Sequence, residues 1–123
     1  MASKIQSAED MKKLVTAFYC VTVSAHVQHE NTRSFAAHKA LGEFYDFSSD
    51  FKDRLIEYMI GQGYLAQVKL NMIDGNEDVV EEATDALDML VTYCDMCQDE
   101  TIKNMAADFQ EALGKLKYLL LFK

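Results

Sequence analysis

Four side chains of the kinds that bind divalent metals stand at definite intervals in the first half of the chain. His26 and His38 are 12 positions apart, and Asp53 and Glu57 follow His38 by 15 and 19. Imidazole nitrogens and carboxylate oxygens are ligands that iron and zinc accept from proteins. The elements that carry these four residues decide whether they can meet.

The 123-residue chain is 50% apolar and 26% charged, which fits one globular domain over 1–123 with a buried core. It has no proline or tryptophan and only 5 glycines, so little interrupts helices and an all-α fold is predicted. Twenty acidic against 12 basic side chains give a formal charge of −8. That balance repels phosphate backbones and argues against nucleic acid as a partner. No apolar run reaches the roughly 18 residues of a membrane span. The opening MASKIQSAEDMKK lacks a signal-type apolar segment, so the cytoplasm is the predicted compartment. An odd number of cysteines, 3, suits reduced thiols there.

Helical periodicity divides the chain into four segments. Ser7, with Glu9 and Asp10 behind it, offers a cap for a first helix whose core stripe is Met11, Leu14, Val15, Phe18, Val21 and Ala25. His26 and His29 fall on a neighbouring stripe, and the helix should end between His29 and Asn31. A second helix is predicted from Arg33 to Ile60, stopped by Gly61 and Gly63. Ala37, Leu41, Phe44, Tyr45, Phe51, Leu55 and Met59 line one side. Glu43, Asp46, Asp50, Asp53 and Glu57 line the other. The stretch 63–75 has no sustained helical period and is long enough to traverse a bundle. A third helix is predicted from Asn76 to Cys97, and Asp99 should cap a fourth. Two hairpins joined by a crossover between helices two and three make a four-helix bundle. Cys94 and Cys97 form C-x-x-C but fall on the third helix's core stripe, so they read as core thiols. Cys20 has no partner signal.

A turn centred near Thr32 would bring His26 and His38 side by side in an antiparallel hairpin. Asp53 and Glu57, an i, i+4 pair, share a face of the second helix. Asp53 nevertheless lies roughly 22 Å along that helix from His38 at 1.5 Å per residue. One copy therefore cannot close the site. A second copy related by a two-fold axis can deliver its Asp53 and Glu57 to the histidine end, giving two identical sites per dimer.

This order of residues resembles the ferroxidase-site pattern of the Dps-like mini-ferritins. The segment FAAH, Phe35 to His38, is similar to that family's F-x-x-x-H. DRLIEYMIGQG, Asp53 to Gly63, is similar to its D-x-x-A-E-R-x-x-x-L-G. The resemblance implies a ferritin-like bundle that builds a homo-oligomer from dimers, up to a dodecameric cage. It implies binding, oxidation and storage of iron, with His26, His38, Asp53 and Glu57 as metal-binding and ferroxidase residues and peroxide or oxygen as oxidant. Zinc can substitute in such a ligand set. Gly42 stands where the family often has an Asp that binds a second iron, and Glu43, Asp46 and His29 are the nearby side chains that could take its place.

The intra-bundle di-iron site of larger ferritins needs E-x-x-H on two helices. The sequence has no E-x-x-H, which leaves the shared version or none. An acidic helical bundle that dimerises through its first two helices and acts as an adaptor or regulator accounts for the charge and the stripes without metal. It leaves the spacing of the four residues unexplained.

Overall fold

In a computed structural model, residues 8–123 are described; the predicted cap Ser7 lies outside them. Four helices form: α1 Ala8–Asn31, α2 Phe35–Gly61, α3 Val79–Cys97 and α4 Glu100–Leu120. No strand occurs among the described residues, as an all-α bundle requires.

Local chemistry sets the boundaries. Ser34 Oγ accepts from Ala37 N at 3.2 Å and starts α2 two residues after Arg33. Asp78 accepts from Val80 N and Glu81 N, which starts α3 at Val79 rather than at Asn76. A side-chain oxygen in this position satisfies amides that the first turn leaves without partners. Asp99 does the same for Thr101 N and Ile102 N, the cap expected for α4. Gln98, at φ 55°, makes the left-handed turn that lets α4 follow α3 at once.

Cross-helix pairs establish direction. Tyr19 meets Lys52, Thr22 meets Ser48, and His29 meets His38, so α1 and α2 run antiparallel. The start of α3 lies beside Gln28 and Asn31, and its later residues Met89 and Tyr93 lie beside Asp10 and Leu14. α3 thus runs antiparallel to α1. α4 packs on α2 and α3, its Leu116 and Leu119 against Ala40 and Phe44. The connection over 62–78 is a strap along α1. Its early residues flank Ala8 to Lys12, Asn71 N donates to Thr16 Oγ1 at 2.9 Å, and Gln28 Nε2 donates to the Glu77 carbonyl. α2 and α3 consequently point the same way.

The predicted stripes of the first two helices lie in the core, where α4 joins them. Phe18, Phe51 and Phe109, one each from α1, α2 and α4, meet with centroids 5.0–5.6 Å apart. All three are essentially fully buried, and each such side chain is worth about 1.5–3 kcal/mol of transfer free energy. The buried hydroxyls of Thr22 and Ser48 pair at 2.8 Å, and Thr22 also donates to the Phe18 carbonyl, so these polar atoms are satisfied across the α1–α2 seam.

Candidate site at the histidine hairpin

The α1–α2 register decides what faces what. His29, not His26, lies against His38, with ring centroids 3.8 Å apart and planes 19° from parallel. His26 stacks instead on Tyr45 at 4.3 Å, and its Nε2 lies 3.2 Å from Glu30 Oε1. The His26 and His29 centroids are 6.3 Å apart. Equal spacing about Thr32 predicts His26 opposite His38; in the folded hairpin His29 takes that place, and His26 sits about one turn further from the bend.

His29 and His38 hold one another through the backbone. His29 Nδ1 is 2.7 Å from the His38 carbonyl oxygen, and His38 Nδ1 is 2.7 Å from that of His29. A carbonyl only accepts, so each Nδ1 must carry its proton and donate. In the neutral ring the other nitrogen, Nε2, then holds the lone pair, which is the arrangement a metal-binding histidine needs.

Gly42 makes this approach feasible. A Cβ there would lie 2.8 Å from His29 Cε1 and 3.0 Å from its Nδ1. The glycine that stands where the resemblance looks for an acid is thus the space into which an imidazole fits. No signal in the one-dimensional spacing identifies this, because it depends on how closely two helices cross.

Asp53 and Glu57 are exposed and remote from the histidines. Asp53 Oδ1 pairs with Lys52 Nζ at 3.0 Å, and that ammonium lies over the Tyr19 ring at 4.4 Å. Glu43, Asp46 and Asp50 are exposed as well, so the whole acidic stripe faces outward. Among the described residues no three His, Cys, Asp or Glu side chains converge where a metal ion could sit. Within one copy the hairpin therefore presents imidazoles at one end and carboxylates along its outer face.

The opposite end of the bundle holds a polar centre that sequence reasoning missed. Asp99 caps α4 and also accepts from Tyr58 Oη, at 3.1 and 2.9 Å to its two oxygens, and from Tyr64 Oη at 2.7 Å. Burial works against its charge, but the bonds from Tyr64, Ile102 N, Tyr58 and Thr101 N outweigh it and hold the carboxyl below its ordinary value. Tyr64, donating to that carboxylate, is pushed up to about 12. Cys94 is buried beside this centre, and burial raises its thiol, with the Cys97 and Asp95 charges acting the same way. A thiol so placed is a poor nucleophile.

Together these features define an all-helical protein whose first hairpin is clasped by a histidine pair. Residues 29–120 match a family of unknown function (DUF5856), and the chain belongs to that family. No curated protein and no solved structure matches the chain. No helix among the described residues is long and apolar enough to cross a membrane.

Proposed function

We propose that this protein is a Dps-like, ferritin-like bundle that binds Fe(II) at sites shared between two copies and oxidises it for storage or detoxification. The observation that carries the reading is the separation of ligand types on one hairpin. Imidazoles stand at its turn and exposed carboxylates stand on its outer face, so each half of the ligand set is open to a second copy.

Three further features support it. The mutual Nδ1 bonds leave Nε2 as the ligating atom of His38, and of His29 beside it. The strap over 62–78 carries the chain along the full length of α1, which is what a crossover between helices two and three demands. His26 is exposed, and so open to carboxylates from a second copy. In this reading His26 and His38 bind the substrate iron with the partner's two carboxylates, and His29 positions His38 or replaces the missing acid at position 42. Carboxylate oxygen favours the ferric product, and an open coordination position admits peroxide or oxygen. The charge of −8 draws Fe(II) inward.

A second reading, a metal-free acidic bundle that dimerises and acts as an adaptor, is favoured by one observation. The Nδ1 atoms of His29 and His38 are bonded to backbone carbonyls across the turn, so the pair has a structural role in clasping the hairpin. Aerobic Fe(II) titration separates the two: ferric absorbance rising faster than in buffer supports the iron reading, and equal rates support the adaptor. Light scattering that finds only a 14.0 kDa species would remove the shared site altogether.

A further inference from the structure

Cys94 and Cys97 stand in the last turn of α3, and both are free thiols. A spacing of three on a helix sets their Cα atoms about 5 Å apart, inside the roughly 4.4–6.8 Å over which a disulfide forms. Cys97 Sγ lies 3.9 Å from the Cys94 carbonyl oxygen, so its side chain folds back over the turn that carries Cys94. Cys94 Sγ lies 3.7 Å from the Asp99 carbonyl oxygen, in the chain that leaves that same turn. Both sulfurs thus belong to one turn of backbone.

The end of the helix supplies the remaining freedom. Cβ atoms at this spacing stand about 5–6 Å apart, against about 3.5–4.5 Å in a disulfide, so the turn must tighten by about 1–2 Å. In mid-helix the following turns would resist. Here Gln98 leaves the helix at φ 55°, its amide bonded to the Cys94 carbonyl at 2.7 Å, and last turns tighten readily. A disulfide closed under such strain is easily reduced, which suits a reversible modification rather than a permanent brace. Cys20 does not compete. It lies six residues along α1 from Leu14, which borders Tyr93, so roughly 9 Å of helix separates it from the level of the pair.

We propose that Cys94 and Cys97 form a dithiol that a hydroperoxide closes to a disulfide and a small thiol reopens. Cys97 is the partly exposed member and Cys94 is buried, so the oxidant meets Cys97 first. Its sulfur attacks the peroxide: an S–O bond forms, the O–O bond breaks, and the departing hydroxide takes the thiol proton and leaves as water. The Cys94 sulfur then attacks Cys97 Sγ. The S–S bond forms, the S–O bond breaks, and the second hydroxide leaves as water with the Cys94 proton. The two thiols lose two electrons, and the peroxide becomes two waters. Buried Cys94 is the weaker nucleophile, and its place within one turn of its target offsets this. Closure takes the Cys94 thiol off the Asp99 carbonyl. The pair lies at the end of the bundle away from the histidines and needs no iron there.

Peptide mapping of the full chain after stoichiometric hydrogen peroxide, with a chelator present, tests this. The fragment that holds both cysteines should lose the mass of two hydrogens and resist alkylation, while Cys20 should still alkylate. Dithiothreitol should restore all 3 thiols. Cys94→Ala should instead leave Cys97 as a sulfenic acid that dimedone captures, and Cys97→Ala should give no such adduct at Cys94. Three outcomes overturn the proposal: alkylation of Cys94 and Cys97 unchanged by peroxide, oxidation of Cys97 to the sulfinic acid with Cys94 still free, or a disulfide that joins two copies. If Cys94→Ala does not fold, the wild-type map decides alone, since each of these outcomes is read without a variant.

Discussion

His29 and His38 each donate an Nδ1 proton to the other's backbone carbonyl, both at 2.7 Å, while their rings stack 3.8 Å apart. Two side chains thereby satisfy two carbonyls near helix ends, the His29 carbonyl in the last turn of α1 and the His38 carbonyl in the first turns of α2. Removing either ring forfeits the stack and the one bond that ring donates, while the other ring keeps its bond to a backbone carbonyl. His29→Ala and His38→Ala should each lower stability by about 1–2 kcal/mol, and the double variant should lose less than their sum by about 1 kcal/mol. Urea denaturation of the four proteins measures this coupling, and strict additivity would show that the two rings act independently.

Gly42 should behave contrary to helix propensity. Replacing a mid-helix glycine with alanine ordinarily gains about 1 kcal/mol. Here the added methyl meets His29 Cε1 at 2.8 Å, so Gly42→Ala should destabilise by about 1–3 kcal/mol. Thermal unfolding of Gly42→Ala in the His29→Ala background should recover the ordinary gain. A Gly42→Ala protein more stable than the wild type would show that the ring moves aside at no cost.

The pH dependence at the other end of the bundle follows from Asp99. Its proton affinity is lowered on folding, so its stabilising contribution is complete above the unfolded value of about 3.9 and is lost as pH falls through the lower folded value. The stability gap between wild type and Asp99→Asn should therefore be widest near neutrality and should narrow below about pH 4. Tyr64 reports the same contact from the alkaline side. Ultraviolet titration should find a phenol ionising near about 12, and Asp99→Asn should bring it back toward about 10. A Tyr64 that titrates identically in both proteins would mean the bond is absent in solution.

Much of this arrangement is legible in the sequence because it is periodic or local. The stripes Phe18/Val21/Ala25 and Phe51/Leu55/Met59 predict buried faces and are buried. The Asp99 cap is visible because a cap needs only a carboxylate before a helical run. The starts of α2 and α3 shift by two and three residues from Arg33 and Asn76 because Ser34 and Asp78, inside the predicted helices, use their side chains on amides further along. What composition and spacing could not disclose is register. Whether His26 or His29 meets His38 depends on the crossing of α1 and α2 and on the space at Gly42. The Tyr58 and Tyr64 bonds to Asp99 span 41 and 35 positions, beyond the reach of any local pattern.

The shared-site reading makes a prediction that no single-chain reading shares. A variant lacking both imidazoles, His26→Ala/His38→Ala, and one lacking both acids, Asp53→Ala/Glu57→Ala, should each oxidise Fe(II) no faster than buffer. All four positions are outside the fully buried core, so both variants should keep the wild-type helical circular dichroism apart from the about 1–2 kcal/mol loss at His38. If the two variants are unfolded together and refolded as a mixture, half of the dimers are hybrids on random pairing. In a hybrid, one site combines the intact histidines of the acid variant with the intact acids of the histidine variant, and the other site lacks both. Each hybrid thus regains one of two sites, and the mixture should recover about a quarter of wild-type activity. A mixture as silent as its components would place any metal site within one copy, or show that these four residues do not form one.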